Sequence, residues 1–186
     1  WGGWQGGDAD AHKRYLGLLV DTATRLLERG DRVLLLVGQP VDVPVAEEVR
    51  QRILQAVPSS VTAVEVAHSG TFEDLCASVD ATDLVIAARF HTIVAGVMRG
   101  RAVISIGYAP KNRELLAALG IVGADQEIHR AIVPWLLERI DAVTAGEQQQ
   151  PGAVMEVIAG WQDLTREELR SLAGALAAGR VGRTRR

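Results

Sequence analysis

One cysteine, Cys76, occurs in the 186 residues, so no internal disulfide can brace the chain. It falls within an expected helix and no activating motif surrounds it, so it reads as a small core hydrophobe rather than a nucleophile. Aromatic residues make up 4% of the sequence, too few to build a stacking platform for single-stranded nucleic acid. Excess basicity is also missing: the net charge is -3 and the isoelectric point about 5.8, against a broad nucleic-acid footprint. No apolar run approaches the ~20 residues of a membrane span, and no signal peptide is visible. The expectation is a soluble, cytoplasmic protein that contacts neither nucleic acid nor membrane. No carboxylate–histidine cluster has metal-ligand spacing, so neither a metal site nor a cofactor is expected. An initiator Met is missing before Trp1, which suggests part of a longer chain, although a processed terminus would look the same. No internal repeat is evident.

What is present is an ordinary globular balance, 48% apolar and 23% charged, in a length that can bury roughly two-thirds of its unfolded surface. The glycine-rich residues 1–10 read as a loop and lack the strand–turn–helix setting of a phosphate cradle. Helical spacing of Tyr15, Leu18, Leu19, Thr22, Leu26 and Leu27 predicts a helix over about 11–29, stopped by Gly30. Strands are expected at 32–38, 61–67, 83–88 and 102–106. Helices are expected at 45–57, from the Thr71/Asp74 capping pair through Val79, and at 92–99, 111–119, 126–143 and 152–178. The continuous β-branched and leucine run at 32–38 suits a strand buried on both faces.

Strand–helix alternation over short loops predicts an α/β fold, a parallel Rossmann-like sheet with helices on both faces and right-handed crossovers. The expected organisation is a domain over 1–145, a helical extension over 146–178 beyond a polar linker, and a disordered basic tail over 179–186. The later helices read as structural, with Trp135 and Trp161 as packing anchors.

Ligands of such sheets collect at the carboxyl ends of the strands. That rule singles out the loops 67–71, 88–91 and 107–111. With the strand extended to Ala88, Arg89 and His91 project the same way, roughly 6–7 Å apart, just before a helix expected at Thr92. A guanidinium, an imidazole and a helix N-terminus there form a receptor for a small oxyanion. The plainer reading is a solvated Arg and a His that caps or packs. In the next loop Gly107 lets the backbone bend, Pro110 stiffens the turn, and Tyr108 and Lys111 can reach back across the same edge. Lys111 at a helix start is electrostatically misplaced unless an anion joins it. Ser69 and Thr71 read as caps and His68 as peripheral. His12 and His129, in expected helices, receive no role.

D-L-V-I-A-A-R-F-H (83–91), G-R-A-V-I-S-I-G-Y-A-P-K (100–111) and L-A-A-L-G-I (116–121) together resemble the polysaccharide pyruvyl transferase family. L-L-E-R-G-D-R-V-L-L-L-V-G-Q-P-V-D (26–42) is similar to that family's helix–Gly–strand–loop–Asp pattern. The likeness spans roughly 11–125 and implies the carboxyl-terminal, donor-binding half of a two-domain enzyme of GT-B-like architecture, with the amino-terminal domain missing. It also implies transfer of a pyruvyl group from phosphoenolpyruvate to a pair of sugar hydroxyls, forming a ketal and releasing phosphate. Arg89 would hold one anionic group and Lys111 another. Tyr108 would join the substrate site, and His91 would bind phosphate or serve as general acid. Ala88 departs from the Ser or Gly that many relatives carry there. The competing readings are half of a nucleotide-sugar glycosyltransferase, and a non-catalytic binding module that kept the fold.

Overall fold

The computed structural model describes residues 9–107, 109–146 and 151–177. The expected loop at the N-terminus, Tyr108, the core of the linker and the basic tail lie outside the described residues. Eleven helices and strands follow along the rest, alternating as far as α5. They are α1 (Ala9–Glu28), β1 (Val33–Val37), α2 (Val43–Ala56), β2 (Val64–His68), α3 (Phe72–Asp80) and β3 (Leu84–Ala87). Then come α4 (Phe90–Met98), β4 (Ala102–Ser105), α5 (Pro110–Ala118), α6 (Val133–Thr144) and α7 (Pro151–Ala177). Gly30 and Gly120, at φ 92° and 71°, take the left-handed conformation that ends α1 and α5 at little cost.

Both strand pairs are parallel. β1 runs beside β2 with Val33 opposite Val64, and β3 beside β4 with Leu84 opposite Ala102. A single parallel bridge from Ser105 to Asp125 extends the β4 edge. One continuous sheet was expected, whereas the described strands form two separate pairs. A cleft of about 260 Å3, lined by Leu34–Val37 on one side and Leu84–Ala87 on the other, lies between them.

The β3–β4 pair is covered on both faces, as its unbroken apolar sequence requires. Val85, Ala87 and Val103 pack with Leu75, Ile93 and Leu116 of α3, α4 and α5. Their neighbours Leu84, Ile86 and Ile104 pack with Leu18 of α1 and Leu136 and Ile140 of α6. A third cluster joins Leu16 and Ala23 of α1 to Val49, Ile53 and Val64. Cys76 is a free thiol packed, half-buried, against the first cluster.

Two expectations are corrected. The helix read from residue 126 begins at Val133, because Gln126 N–H and Ile128 N–H are drawn to the carbonyls of Ser105 and Gly107, and Pro134 suits a helix start. His129 therefore lies in a turn. Trp161 does not anchor packing: it is 42% exposed, since α7 meets the first cluster through Val154, Val157 and Ile158 and then runs past it. Trp135 packs against the cluster of Leu18, Ile104, Leu136 and Ile140. Among the described residues no helix is long and apolar enough to cross a membrane.

The approach of α4 to the sheet rests on Gly96, where an added Cβ would stand 2.8 Å from Val103 Cγ2 and 3.3 Å from Val85 Cγ2. Gly17, inside α1, has nothing within 4 Å of the same position. Gly96→Ala is expected to destabilise by about 1–2 kcal/mol, overpacking outweighing the gain in helix propensity. Gly17→Ala is expected to stabilise by about 0.5–1 kcal/mol. Urea unfolding of the two variants reads both; equal shifts of the same sign would contradict the packing.

Candidate functional site

β3 ends at Ala87, and Arg89 is the N-cap of α4 with extended dihedrals of -83° and 131°. His91 is thus the second helical residue, not the next outward position of a strand, and the two-residue alternation expected for Arg89 and His91 does not apply. The helix starts two residues earlier than Thr92. Even so, a cavity of about 160 Å3 is lined by Arg89, His91 and Lys111 together, with Gly38, Phe90 and Asn112 among its other walls. It opens at the carboxyl ends of β1, β3 and β4.

Each group is held differently. Arg89 is half-buried, and its Nε and Nη2 approach Asp42 Oδ2 at 2.7 and 2.5 Å. Asp42 ends a 3-10 turn, Pro40–Asp42, just after β1. The arginine is therefore partly neutralised within the protein, and the free guanidinium imagined from sequence is an ion pair. The ammonium of Lys111 sits 4.6 Å from the centroid of the Phe90 ring, in a cation–π contact. The exposed His91 ring meets Phe90 edge-on at 6.0 Å. Phe90, the unassigned middle residue of R-F-H, thus contacts both Lys111 and His91.

The three strand-end loops differ in what their helices still offer. At α3 the Thr71 hydroxyl accepts from Asp74 N–H and Asp74 Oδ2 accepts from Thr71 N–H, a closed capping box. The Thr71 hydroxyl first, and then the Thr71 N–H, hold the Asp74 carboxyl below the usual aspartate range. At α4 and α5 the N-cap residues, Arg89 and Ala109, make no side-chain cap. The positive ends of these two helices face the same cavity without an internal carboxylate or hydroxyl closing them. His68 and the capped loop line neither cavity.

Asn112 fixes the distance between those two helix starts. It is fully buried, and its Nδ2 donates to Ala88 O (3.1 Å) and Ser105 Oγ (3.3 Å). The loop carrying Arg89 is thereby stapled to the end of β4 and the first turn of α5. Gly107 makes room for the staple: an added Cβ would lie 2.4 Å from Nδ2. Its φ is not positive, so space rather than backbone freedom is what the glycine supplies. The sequence reading missed Asn112, Phe90 and the pairing of Asp42. An amide three residues after an N-cap alanine, beside the cation Lys111, was the available signal.

Behind Arg89, Tyr15 of α1 lines the larger cleft together with Asp42. Burial, aided by the Asp42 charge and opposed by Arg89, pushes its phenol up to about 12, so it stays protonated near neutrality. Among the described residues no group of three or more His, Cys, Asp or Glu could hold a metal ion. The arrangement suits a small guest with more than one anionic group, next to an imidazole able to exchange a proton.

No protein-family model, curated protein or solved structure matches this chain.

Gly107→Ala is expected to cost about 3 kcal/mol, from overpacking plus the loss of buried hydrogen bonds. Adding Asn112→Ala should recover part of that cost, because the clash and the staple involve the same atoms. A double-mutant cycle by urea unfolding checks this; strictly additive losses would mean that the two residues do not act together.

Proposed function

We propose that this chain is the phosphoenolpyruvate-binding part of a polysaccharide pyruvyl transferase, a cytoplasmic enzyme. In this reading residues 1–145 are a Rossmann-like donor domain of GT-B-like type and 146–178 its helical extension. The observation that carries the proposal is that Arg89, His91 and Lys111 line one small cavity at the strand ends. Phosphoenolpyruvate carries a carboxylate and a phosphate on a three-carbon frame, so it calls for two cationic anchors a short distance apart. Arg89 takes one anionic group and Lys111 the other, and the open N-termini of α4 and α5 add partial positive charge.

His91, exposed and backed by Phe90, acts as general acid toward the enol phosphate. Its proton adds to the methylene carbon, leaving the adjacent carbon electron-poor. One acceptor hydroxyl adds there and loses its proton. The carbon–oxygen bond to phosphate then breaks, phosphate leaves, and the second hydroxyl adds to the same carbon and gives up its proton to close the ketal. The size of the cavity, about 160 Å3, favours this small donor over a nucleotide sugar, whose sites run to roughly 300 Å3 and more. That weighs against the glycosyltransferase alternative. A non-catalytic module would bind the donor and release no phosphate.

Titration with phosphoenolpyruvate is expected to show Arg89→Ala binding about 10- to 100-fold more weakly, the loss of one charge-assisted contact. His91→Gln should lower phosphate release from phosphoenolpyruvate more than it lowers donor affinity. Undiminished binding by Arg89→Ala, or tighter binding of nucleotide sugars than of phosphoenolpyruvate, would overturn the assignment.

A further inference from the structure

We propose that Asp42 is the resident counter-ion of the pocket, aiming the Arg89 guanidinium while holding down anion affinity in proportion to the guest's charge. The inference rests on the reading of the pocket as an anion site, but not on phosphoenolpyruvate being its natural guest.

The geometry is specific. Arg89 forms a wall shared by two cavities: the polar pocket with His91 and Lys111 on one side, and the apolar cleft with Asp42 and Tyr15 on the other. Asp42 approaches from the cleft side, where one carboxylate oxygen accepts a hydrogen bond from Nε and lies 2.5 Å from Nη2 in the ion pair. Its side chain is only 19% exposed, against 36% for Arg89, so the pair is shielded from solvent mainly at the carboxylate. The edge of the guanidinium that Asp42 grips is fixed, which leaves the fork in one orientation at the cavity wall.

The same contact has an electrostatic consequence. With no anion present, Asp42 balances Arg89, and the positive charge of the pocket comes from Lys111. An entering anion is attracted by Arg89 and repelled by the carboxylate just behind it. Coulombic repulsion scales with the guest's charge, so the carboxylate penalises a triply charged guest more than a singly charged one. A pocket tempered in this way stays intact when empty and lets a released phosphate dissociate, whereas an unbalanced cluster of cations would retain it.

Orientation and charge can be separated by chemistry. Asparagine at position 42 keeps an oxygen able to accept from Arg89 Nε and removes only the charge. The experiment titrates the wild-type chain and Asp42→Asn with pyruvate, inorganic phosphate and phosphoenolpyruvate at low ionic strength, with thermal unfolding to confirm a folded variant. Asp42→Ser, which also keeps an acceptor oxygen without charge, serves if the asparagine variant does not fold. The expected result is tighter binding of all three anions, graded from a few-fold for pyruvate to roughly tenfold or more for phosphoenolpyruvate. The gain should shrink as salt is raised. Weaker binding of every anion, an ungraded gain, or no binding by either protein would overturn the inference. If phosphate and pyruvate show the graded gain but wild type prefers phosphate to phosphoenolpyruvate, the counter-ion role stands and the pyruvyl-donor reading falls.

Discussion

The ion pair between Arg89 and Asp42 spans 47 residues of sequence and joins the loop after β1 to the start of α4 after β3. Among the described residues, no backbone hydrogen bond joins β1 to β3, and the cleft between them reaches to this pair. The two strand pairs are thus tied at their carboxyl ends by a contact that also forms the wall of the candidate site. A fold that places a structural tie and a cavity-lining cation in the same residue couples the geometry of its strand pairs to the electrostatics of its pocket. An isolated exposed pair would do little of either; here the carboxylate is mostly withdrawn from water, which reduces screening.

The second constraint is steric. α4 lies close to β3 and β4 because Gly96 lacks a side chain, and α5 is stapled to the Ala88 carbonyl because Gly107 lacks one. Both glycines act by what they omit. With them, two nine-residue helices begin at one cavity, neither closed by its own cap, while α3 spends its first turn on the Thr71–Asp74 box. The contrast among three similar strand–loop–helix junctions leaves two uncapped helix starts at one cavity and a closed one beside it. α7 contributes little here: beyond Ile158 its apolar residues Trp161, Leu164, Leu169, Leu172 and Leu176 are exposed, and they lie outside the construction of the site.

Much of this was legible in the sequence. The apolar runs of β1, β3 and β4 and the helix stops at Gly30 and Gly120 marked the elements within one to three residues, because burial on both faces and left-handed glycines leave local signatures. The capping pair at Thr71 and Asp74 was equally local. The failures were non-local. Nothing in the periodicity of 126–132 reveals that its amides bond to Ser105 and Gly107, and no pattern within α7 tells where the underlying protein surface ends. For the site, R-F-H and the Lys111 turn pointed to residues that line one cavity at the strand ends. The partner of Arg89 lay 47 positions away, however, and the fully buried amide of Asn112 resembled any polar residue of an exposed helix turn.

The account depends on anion capture at two helix starts and not at the third. A titration with phosphoenolpyruvate followed by backbone amide nuclear magnetic resonance tests this most directly. The account predicts saturable shifts at the amides of Phe90, His91, Thr92, Lys111 and Asn112, with Phe72 and Glu73 at the start of α3 unmoved. Shifts centred on α3, or none anywhere at millimolar donor, would contradict it.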